Sequence, residues 1–207
     1  MSDISNAIQG CTWPGNDSQM CQYHDEEWGI PLLDDRKLFE FLLLDAFQAG
    51  LSWKTILHKR TNFRNAFDHF DAAIIAHYSE AKVQSLLLDA GIIRNKLKIK
   101  ATVENAKCFL AVQKEWGSFA EYIWQFVQYR PINHHYKTTG DIPVSTTESL
   151  AMSKDLQKRG FKFVGTTICY AFMQASGMVN DHLVSCPQHQ YISSLHRDWQ
   201  HPFKNIP

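Results

Sequence analysis

The chain has 207 residues, 44% hydrophobic and 20% charged, which argues for one sizeable core and against a disordered or fibrous chain. Its 21 basic and 21 acidic residues cancel, so any contact with DNA must come from local basic clusters rather than from bulk charge. No apolar run approaches the roughly 18 residues of a membrane span; FEFLLLDAFQAGL is broken by Asp45 and Gln48.

The opening MSDISNAIQGCTW lacks the basic start and apolar stretch of a secretory signal, so a cytoplasmic protein is expected. Five cysteines (Cys11, Cys21, Cys108, Cys169 and Cys186) form an odd set, which argues against a disulfide scaffold. Some should be plain buried thiols, and others are available to hold metal.

In chain order, the signals are helical. Asp34 or Asp35 caps a helix through KLFEFLLLDAFQAG, with Gly50 as its stop. Ser79 caps EAKVQSLLLDA, in which Val83, Leu86, Leu87 and Ala90 recur at helical spacing before Gly91. Ser118 and Glu121 make a capping box that opens AEYIWQFV, and Pro131 closes it. A loop is expected from Pro131 to Pro143. Ser145 and Glu148 make a second box, starting a helix that ends at Gly160, and a last helix runs from near Gly165 to Gly177. No alternating strand pattern of useful length is visible, so the fold class is all-α.

Near one end stand Cys11 and His24, and near the other His182 and Cys186. The latter two are four apart, so one helical turn would project both from one face. Two thiols and two imidazoles make a Cys2His2 set, and four protein ligands with no vacant position describe a structural zinc site. Spacing alone leaves alternatives: Cys21 competes with Cys11, and all four residues suit a hydrogen-bonded core. A clasp of this kind would join 1–187 into one domain, leaving a tail over 188–207 with no assigned role.

Asp45 lies within FLLLDAF, where a carboxylate is costly to bury without a partner, which makes it a candidate site residue. Asp45, Gln48 and Ser52 are at helical spacing and would share one face of the segment leading to Trp53. Gly160 and Gly165 bracket Phe-Lys-Phe-Val between two helices. Glycine permits a tight turn there, and free N–H groups at the second helix's start suit a phosphate. Lys158, Arg159 and Lys162 add charge, Thr166 and Thr167 add hydroxyls, and Arg94, Lys96, Lys98 and Lys100 form a second basic run.

Four segments together resemble the DNA-3-methyladenine glycosylase I family. They are Cys11-Thr-Trp13 with Tyr23-His-Asp-Glu-Glu-Trp28-Gly29; Gln48-Ala-Gly-Leu-Ser-Trp53 continuing to Arg60; Asp89-Ala-Gly-Ile-Ile-Arg94; and Lys158 to Tyr170, continuing to Asn180-Asp-His182 and Cys186. The resemblance covers roughly Cys11 to Cys186. It implies a helix-hairpin-helix glycosylase fold, one structural zinc on Cys11, His24, His182 and Cys186, and hydrolytic release of 3-methyladenine from duplex DNA. It places Trp13, Tyr23 and Trp53 in the base pocket with Gln48, while the turn's glycines, charge and hydroxyls make Gly160, Lys162, Gly165, Thr166 and Thr167 the expected DNA contacts.

The resemblance also marks Asp45 as the catalytic carboxylate, at a position where the family usually has Glu. The shorter side chain draws its oxygens back by about 1 Å, a displacement that can lower a rate on the order of a hundredfold. In Val179-Asn180-Asp181-His182, Asn180 stands where many helix-hairpin-helix glycosylases carry an acid, so Asp181 is not assigned that role. The expected activity is monofunctional: water attacks, no Schiff base forms, and the strand stays uncut. The expected partner is alkylated double-stranded DNA, met by a monomer. The competing reading is a non-catalytic DNA-binding module with the same fold and zinc.

Overall fold

A computed structural model describes residues 10–200 and Phe203; the first nine residues and the other tail residues, to which parts of the signal and tail readings refer, lie outside this range. The described chain is helical: α1 (Ser18–Glu26), α2 (Asp35–Gln48), α3 (Trp53–His58), α4 (Arg60–Ala66), α5 (Ala72–Ile75), α6 (Glu80–Leu88), α7 (Lys96–Trp116), α8 (Phe119–Trp124), α9 (Thr147–Lys158), α10 (Thr166–Ala175) and α11 (Pro187–Arg197). The one departure from all-α is a two-residue parallel pairing of β1 (Ile132–Asn133) with β2 (Val179–Asn180), inside the stretch expected to be loop and too short for any alternation to show.

Helix α2 is the axis of the fold. Every residue from Leu38 to Phe47 is buried, so the helix is enclosed on all sides, and it packs against α3, α7, α8 and α10. Asp34 caps it, accepting the Lys37 N–H at 2.8 Å, and its neighbour Asp35 reaches elsewhere. The Asp35 carboxylate accepts the backbone N–H groups of Phe119 and Ala120, both at 2.8 Å, and the Gln113 amide at 2.6 Å. One acid thereby ties the start of α2 to the orphan donors of α8's first turn and to the end of α7.

Capping follows the sequence closely at Ser79 and Ser118, whose hydroxyls accept the N–H groups of Lys82 and Glu121. The box expected at Ser145 and Glu148 forms one residue later, between Thr146 and Ser149. That register turns Ser149, Met152, Ser153 and Leu156 inward. The second basic run is also corrected. Lys98 lies within α7, buried, with its ammonium donating to the carbonyls of Phe47 at 2.8 Å and Ala49 at 2.7 Å. It closes the C-terminal end of α2, where unpaired carbonyls favour a cation, and is not available to DNA.

Helix α11 covers the region where the two short strands meet, burying His189, Ile192 and His196. Beyond it Trp199 stacks on Trp124 with ring centres 4.6 Å apart. Burial among apolar groups lowers the His196 pKa to about 4, so this imidazole is neutral at physiological pH. Replacing Asp35 with alanine strands three donors, two of them on the α8 backbone. Urea unfolding of Asp35→Ala should show a loss of about 2–4 kcal/mol; a loss under about 0.5 kcal/mol would mean that α8 holds its place without this tie.

Candidate active site

A cleft of about 330 Å³ opens beside the C-terminal half of α2, at the small end of the range for ligand pockets. Trp13 lines it from the loop before α1, Tyr23 from α1 and Trp28 from the turn after it. Asp45 and Gln48 come from α2, Trp53 from the first turn of α3, and Ala171 and Gln174 from α10. Thr139 and Ile142 close the remaining side. The rings are arranged edge-on or tilted: Trp13 to Trp28 at 5.1 Å and 66°, Tyr23 to Trp53 at 5.1 Å and 49°. Such packing holds ring faces apart and leaves room for a planar guest.

Asp45, Gln48 and Ser52 do not share one helix face, because α2 ends at Gln48. Gly50 turns the chain at φ +80°, and Ser52 becomes the N-cap of α3, accepting the Thr55 N–H at 3.2 Å. The break matters for the site. It lets Trp53 start a new helix whose first side chain projects into the cleft.

Two acids of α2 are buried, and their surroundings differ. Glu40 receives Arg60 at 2.6 Å and Arg64 at 2.9 Å, while Arg60 also binds Glu27 at 2.7 Å. This is a compensated network. Asp45, five residues on and only 2% exposed, has no such cation, and its Oδ2 has no hydrogen-bond partner among the described residues. Desolvation alone drives its pKa well above the ordinary carboxylate range. The indole N–H groups of Trp13 and Trp53 are likewise buried and without a partner among the described residues. Three polar groups around one cleft therefore lack partners, and native proteins rarely leave such groups unmatched.

The segments that carry Cys11 and His24 meet those that carry His182 and Cys186 a short distance away. Cys11, His24, His182 and Cys186 are all buried, with ligand atoms within 4.8 Å of one another. His24 Nε2 lies 3.1 Å from His182 Nδ1, and the sulfurs of Cys11 and Cys186 each lie 3.8 Å from that same Nδ1. Tetrahedral zinc, with bonds of about 2.0–2.3 Å, sets its ligand atoms roughly 3.3–3.8 Å apart, so the donor set could hold such an ion with little movement. Both imidazoles are oriented by their other nitrogen, His24 against Asp25 at 2.7 Å and His182 against the Trp28 carbonyl at 3.0 Å. The Cys11 thiol, hydrogen-bonded to Cys186, holds the Cys186 sulfur far below its ordinary pKa, with His182 and His24 adding to the effect. A thiolate is the form that binds metal. Gly10, at φ +120°, permits this closure: a Cβ there would sit 2.5 Å from the Cys186 backbone nitrogen. The cluster also buttresses the cleft, since Trp13 packs edge-on against His24 at 5.5 Å and Trp28 against His182 at 4.6 Å.

Helices α9 and α10 pack together around a tight turn. Gly160, at φ +98°, ends α9 with paired bonds, Gly160 N–H to the Gln157 carbonyl and Phe161 N–H to the Leu156 carbonyl, both at 3.0 Å. Asn105 of α7 pins the turn by accepting the Lys162 N–H at 2.7 Å and donating to its carbonyl at 3.1 Å. Gly165 precedes α10 with no side-chain cap, leaving the first N–H groups of that helix free of an intrahelical or side-chain acceptor. Lys162 and Thr167 are exposed and Thr166 is half-buried. The charge of Arg159 is spent elsewhere, on Glu115 at 2.7 Å and Asp155 at 2.9 Å.

The methyladenine glycosylase family profile matches residues 13–189. Among curated proteins, DNA-3-methyladenine glycosylase 1 of Escherichia coli is 48% identical over 179 residues, 86% of this chain and 96% of that protein. The DNA-3-methyladenine glycosylase of Haemophilus influenzae is 45% identical over 177 residues, again 86% of this chain and 96% of that protein. The chain belongs to the methyladenine glycosylase family. A crystal structure of 3-methyladenine DNA glycosylase I superposes with a TM-score of 0.85 at 49% identity, over 86% of this chain and 98% of its own. The Staphylococcus aureus enzyme, solved to define 3-methyladenine recognition, gives 0.85 at 32% identity over 88% and 97%.

In this family member the structure brings Trp13, Tyr23, Asp45, Gln48 and Trp53 to one cleft and gathers Cys11, His24, His182 and Cys186 into one cluster. Gly160, Lys162, Gly165, Thr166 and Thr167 lie on the α9–α10 turn and its edges. Sequence reasoning did not assign Trp28, Thr139, Ile142, Ala171 or Gln174 to the cleft. Ala171 and Gln174 were findable, three apart on one face of α10. Thr139 and Ile142 come from a loop with no periodicity to read.

Burying Asp45 without a cation lowers stability in a pH-dependent way. Below about pH 3.9 folded and unfolded chains both hold the proton, and the penalty is absent. As pH rises, the unfolded chain sheds its proton first, and the folded protein loses stability until its own raised pKa is passed. Asp45→Asn should therefore melt higher than wild type at neutral pH, with the gap closing towards pH 4. Melting curves of the two proteins across that range check this, and a lower Tm for Asp45→Asn at pH 7 contradicts it.

Proposed function

We propose that this chain hydrolyses the N-glycosidic bond of 3-methyladenine in alkylated double-stranded DNA and leaves the abasic strand uncut. The observation that carries the reading is buried Asp45, whose Oδ2 has no hydrogen-bond partner among the described residues, inside an aromatic cleft, in a chain whose relatives are DNA-3-methyladenine glycosylases. A base within a duplex cannot enter such a cleft, so it must first be extruded, and damaged bases leave the stack at the lowest cost. Methylation at N3 gives adenine a positive charge while it is still joined to the sugar. A cation suits ring faces and a carboxylate, and it supplies the charge that Asp45 lacks.

That charge also weakens the bond to the sugar. The electrons of the breaking bond neutralise the departing base, water supplies the new oxygen at the anomeric carbon, and its proton is lost to solvent. The enzyme's work is then selection: a cation in the cleft lowers the free energy of ionised Asp45, whereas a neutral base does not. Trp13, Tyr23 and Trp53 provide the faces, and Gln48 stands with Asp45 at the end of α2.

On the DNA side, the α9–α10 turn serves as the helix-hairpin-helix. Gly160 and Gly165 let the backbone come close, the free N–H groups at Thr166 and Thr167 receive a phosphate, and Lys162 adds charge. Helix α10 begins at this turn and reaches the cleft at Ala171 and Gln174, so one rigid element relates phosphate grip to base pocket. Cys11, His24, His182 and Cys186 would hold one structural zinc, and four protein ligands would leave no position for a reactive water. Five cysteines, none of them in a disulfide, suit a reducing cytoplasm, and one chain builds the whole cleft, which suits a monomer.

The test is release of free 3-methyladenine from methylated duplex DNA. Wild type should release it without nicking the strand, and Asp45→Asn should be slower by at least about a hundredfold. On the acid side, wild-type kcat/KM should fall at a pH above the ordinary carboxylate range, as Asp45 takes up its proton. Absence of release by wild type, paired with robust turnover by Asp45→Glu, would instead identify an inactive DNA-binding module. Metal analysis should find about one zinc per chain in wild type and none in Cys186→Ser.

A further inference from the structure

Asp181, at 1% exposure, is among the most deeply buried acids in the protein, and it does not line the cleft. Its carboxylate is fully engaged. Oδ2 accepts the Tyr170 hydroxyl at 2.6 Å and the Gln174 amide Nε2 at 2.7 Å, and Oδ1 lies 2.6 Å from His134 Nδ1. Tyr170 and Gln174 both belong to α10, and His134 follows β1 in the chain. Two parts of the chain, α10 and the segment after β1, therefore converge on one acid, and one of its three partners, Gln174, lines the base cleft.

This contact fixes the direction of an ambiguous side chain. A primary amide offers two donors on nitrogen and acceptor positions on oxygen, and it can present either corner to a ligand. Gln174 turns its nitrogen to Asp181, donating from Nε2 to Oδ2 at 2.7 Å. The corner left for the cleft is the carbonyl oxygen. In neutral 3-methyladenine, and in the cationic base still joined to the sugar, the 6-amino group is the only hydrogen-bond donor; the free ring nitrogens accept. An acceptor fixed in the cleft wall can pair with that group and with no other part of the base.

We propose that Gln174 reads the 6-amino group of the extruded base, and that Asp181 is the positioning residue that locks its amide carbonyl towards the cleft. The inference rests on the assignment of the cleft as the 3-methyladenine pocket. It gives the site a second specificity element beside Asp45. Asp45 selects positive charge, while Gln174 distinguishes a 6-amino purine from a 6-oxo purine. A 6-oxo base would set oxygen against oxygen, and a site whose polar group is left unpaired rejects the wrong ligand. The arrangement also gives a reason for a fully hydrogen-bonded carboxylate to be buried behind a cleft that it does not line.

The test compares binding of free 3-methyladenine and free 3-methylhypoxanthine, which carries a 6-oxo group and one ring N–H in place of the 6-amino group, by calorimetry on the zinc-containing protein at a pH where both bases are neutral. Wild type should prefer 3-methyladenine. Gln174→Leu, close in size but without the acceptor, should narrow the ratio of the two dissociation constants by about tenfold, the worth of one hydrogen bond. Asp181→Asn should narrow it too, since an amide partner no longer dictates which corner of Gln174 faces the cleft. The ratio is read on one protein sample with two ligands, so a loss of stability in either variant does not move it. A wild-type ratio retained in Gln174→Leu overturns this inference while leaving the pocket assignment standing. Failure of wild type to bind 3-methyladenine overturns both.

Discussion

Helix α2 carries two acids into the core of this protein, and only one of them meets a cation. Glu40 is held by Arg60 and Arg64, an arrangement that suffices to explain it. Asp45 faces a cleft lined by tryptophan and tyrosine rings, with an oxygen that has no partner among the described residues. A carboxylate in that position is disfavoured in the free protein and becomes favourable when a cation enters. The surrounding architecture serves this imbalance: enclosure of α2 withholds solvent, and the break after Gln48 admits Trp53. The site holds free energy in reserve until the matching charge arrives.

The Cys-His cluster fixes the geometry of that cleft rather than its chemistry. Trp13 and Trp28 are distant in sequence from the C-terminal ligands, yet they pack on His24 and His182. A metal ion there would join the segments carrying Cys11 and Cys186, and it would hold one aromatic wall in register with Asp45. Gly10 shows how close the approach is, since no side chain fits between it and Cys186. Stability and recognition thus share residues, and loosening the clasp should blur the pocket before it unfolds the protein.

Much of this was legible in the sequence where local chemistry decides the outcome. Asp34, Ser79 and Ser118 cap helices as their residue types suggest, and the family motifs mark the cleft and the cluster. The isolated acid in FLLLDAF was conspicuous because burial without a partner is costly. What escaped notice depended on distant contacts. The 21-residue α7 was hidden behind a basic run, although Ile99, Val103, Ala106, Phe109 and Val112 repeat at helical spacing. Lys98 read as a surface charge because nothing local shows that its ammonium caps another helix. Helix α11 has a histidine- and glutamine-rich sequence with few apolar positions, and only its docking over the short strands reveals why it forms. Asp181 could not be placed at all from spacing, because its three partners come together only in the folded chain.

The central claim is that Asp45 lacks a charge that the base supplies. The most direct measurement is a carbon-13 NMR titration of the Asp45 carboxyl group, in the free protein and with 3-methyladenine bound at a pH where the base is cationic. The account predicts a free-state pKa well above the ordinary carboxylate range and a clear fall when the cation binds. An Asp45 that titrates like an exposed aspartate, or that does not respond to the base, would contradict it.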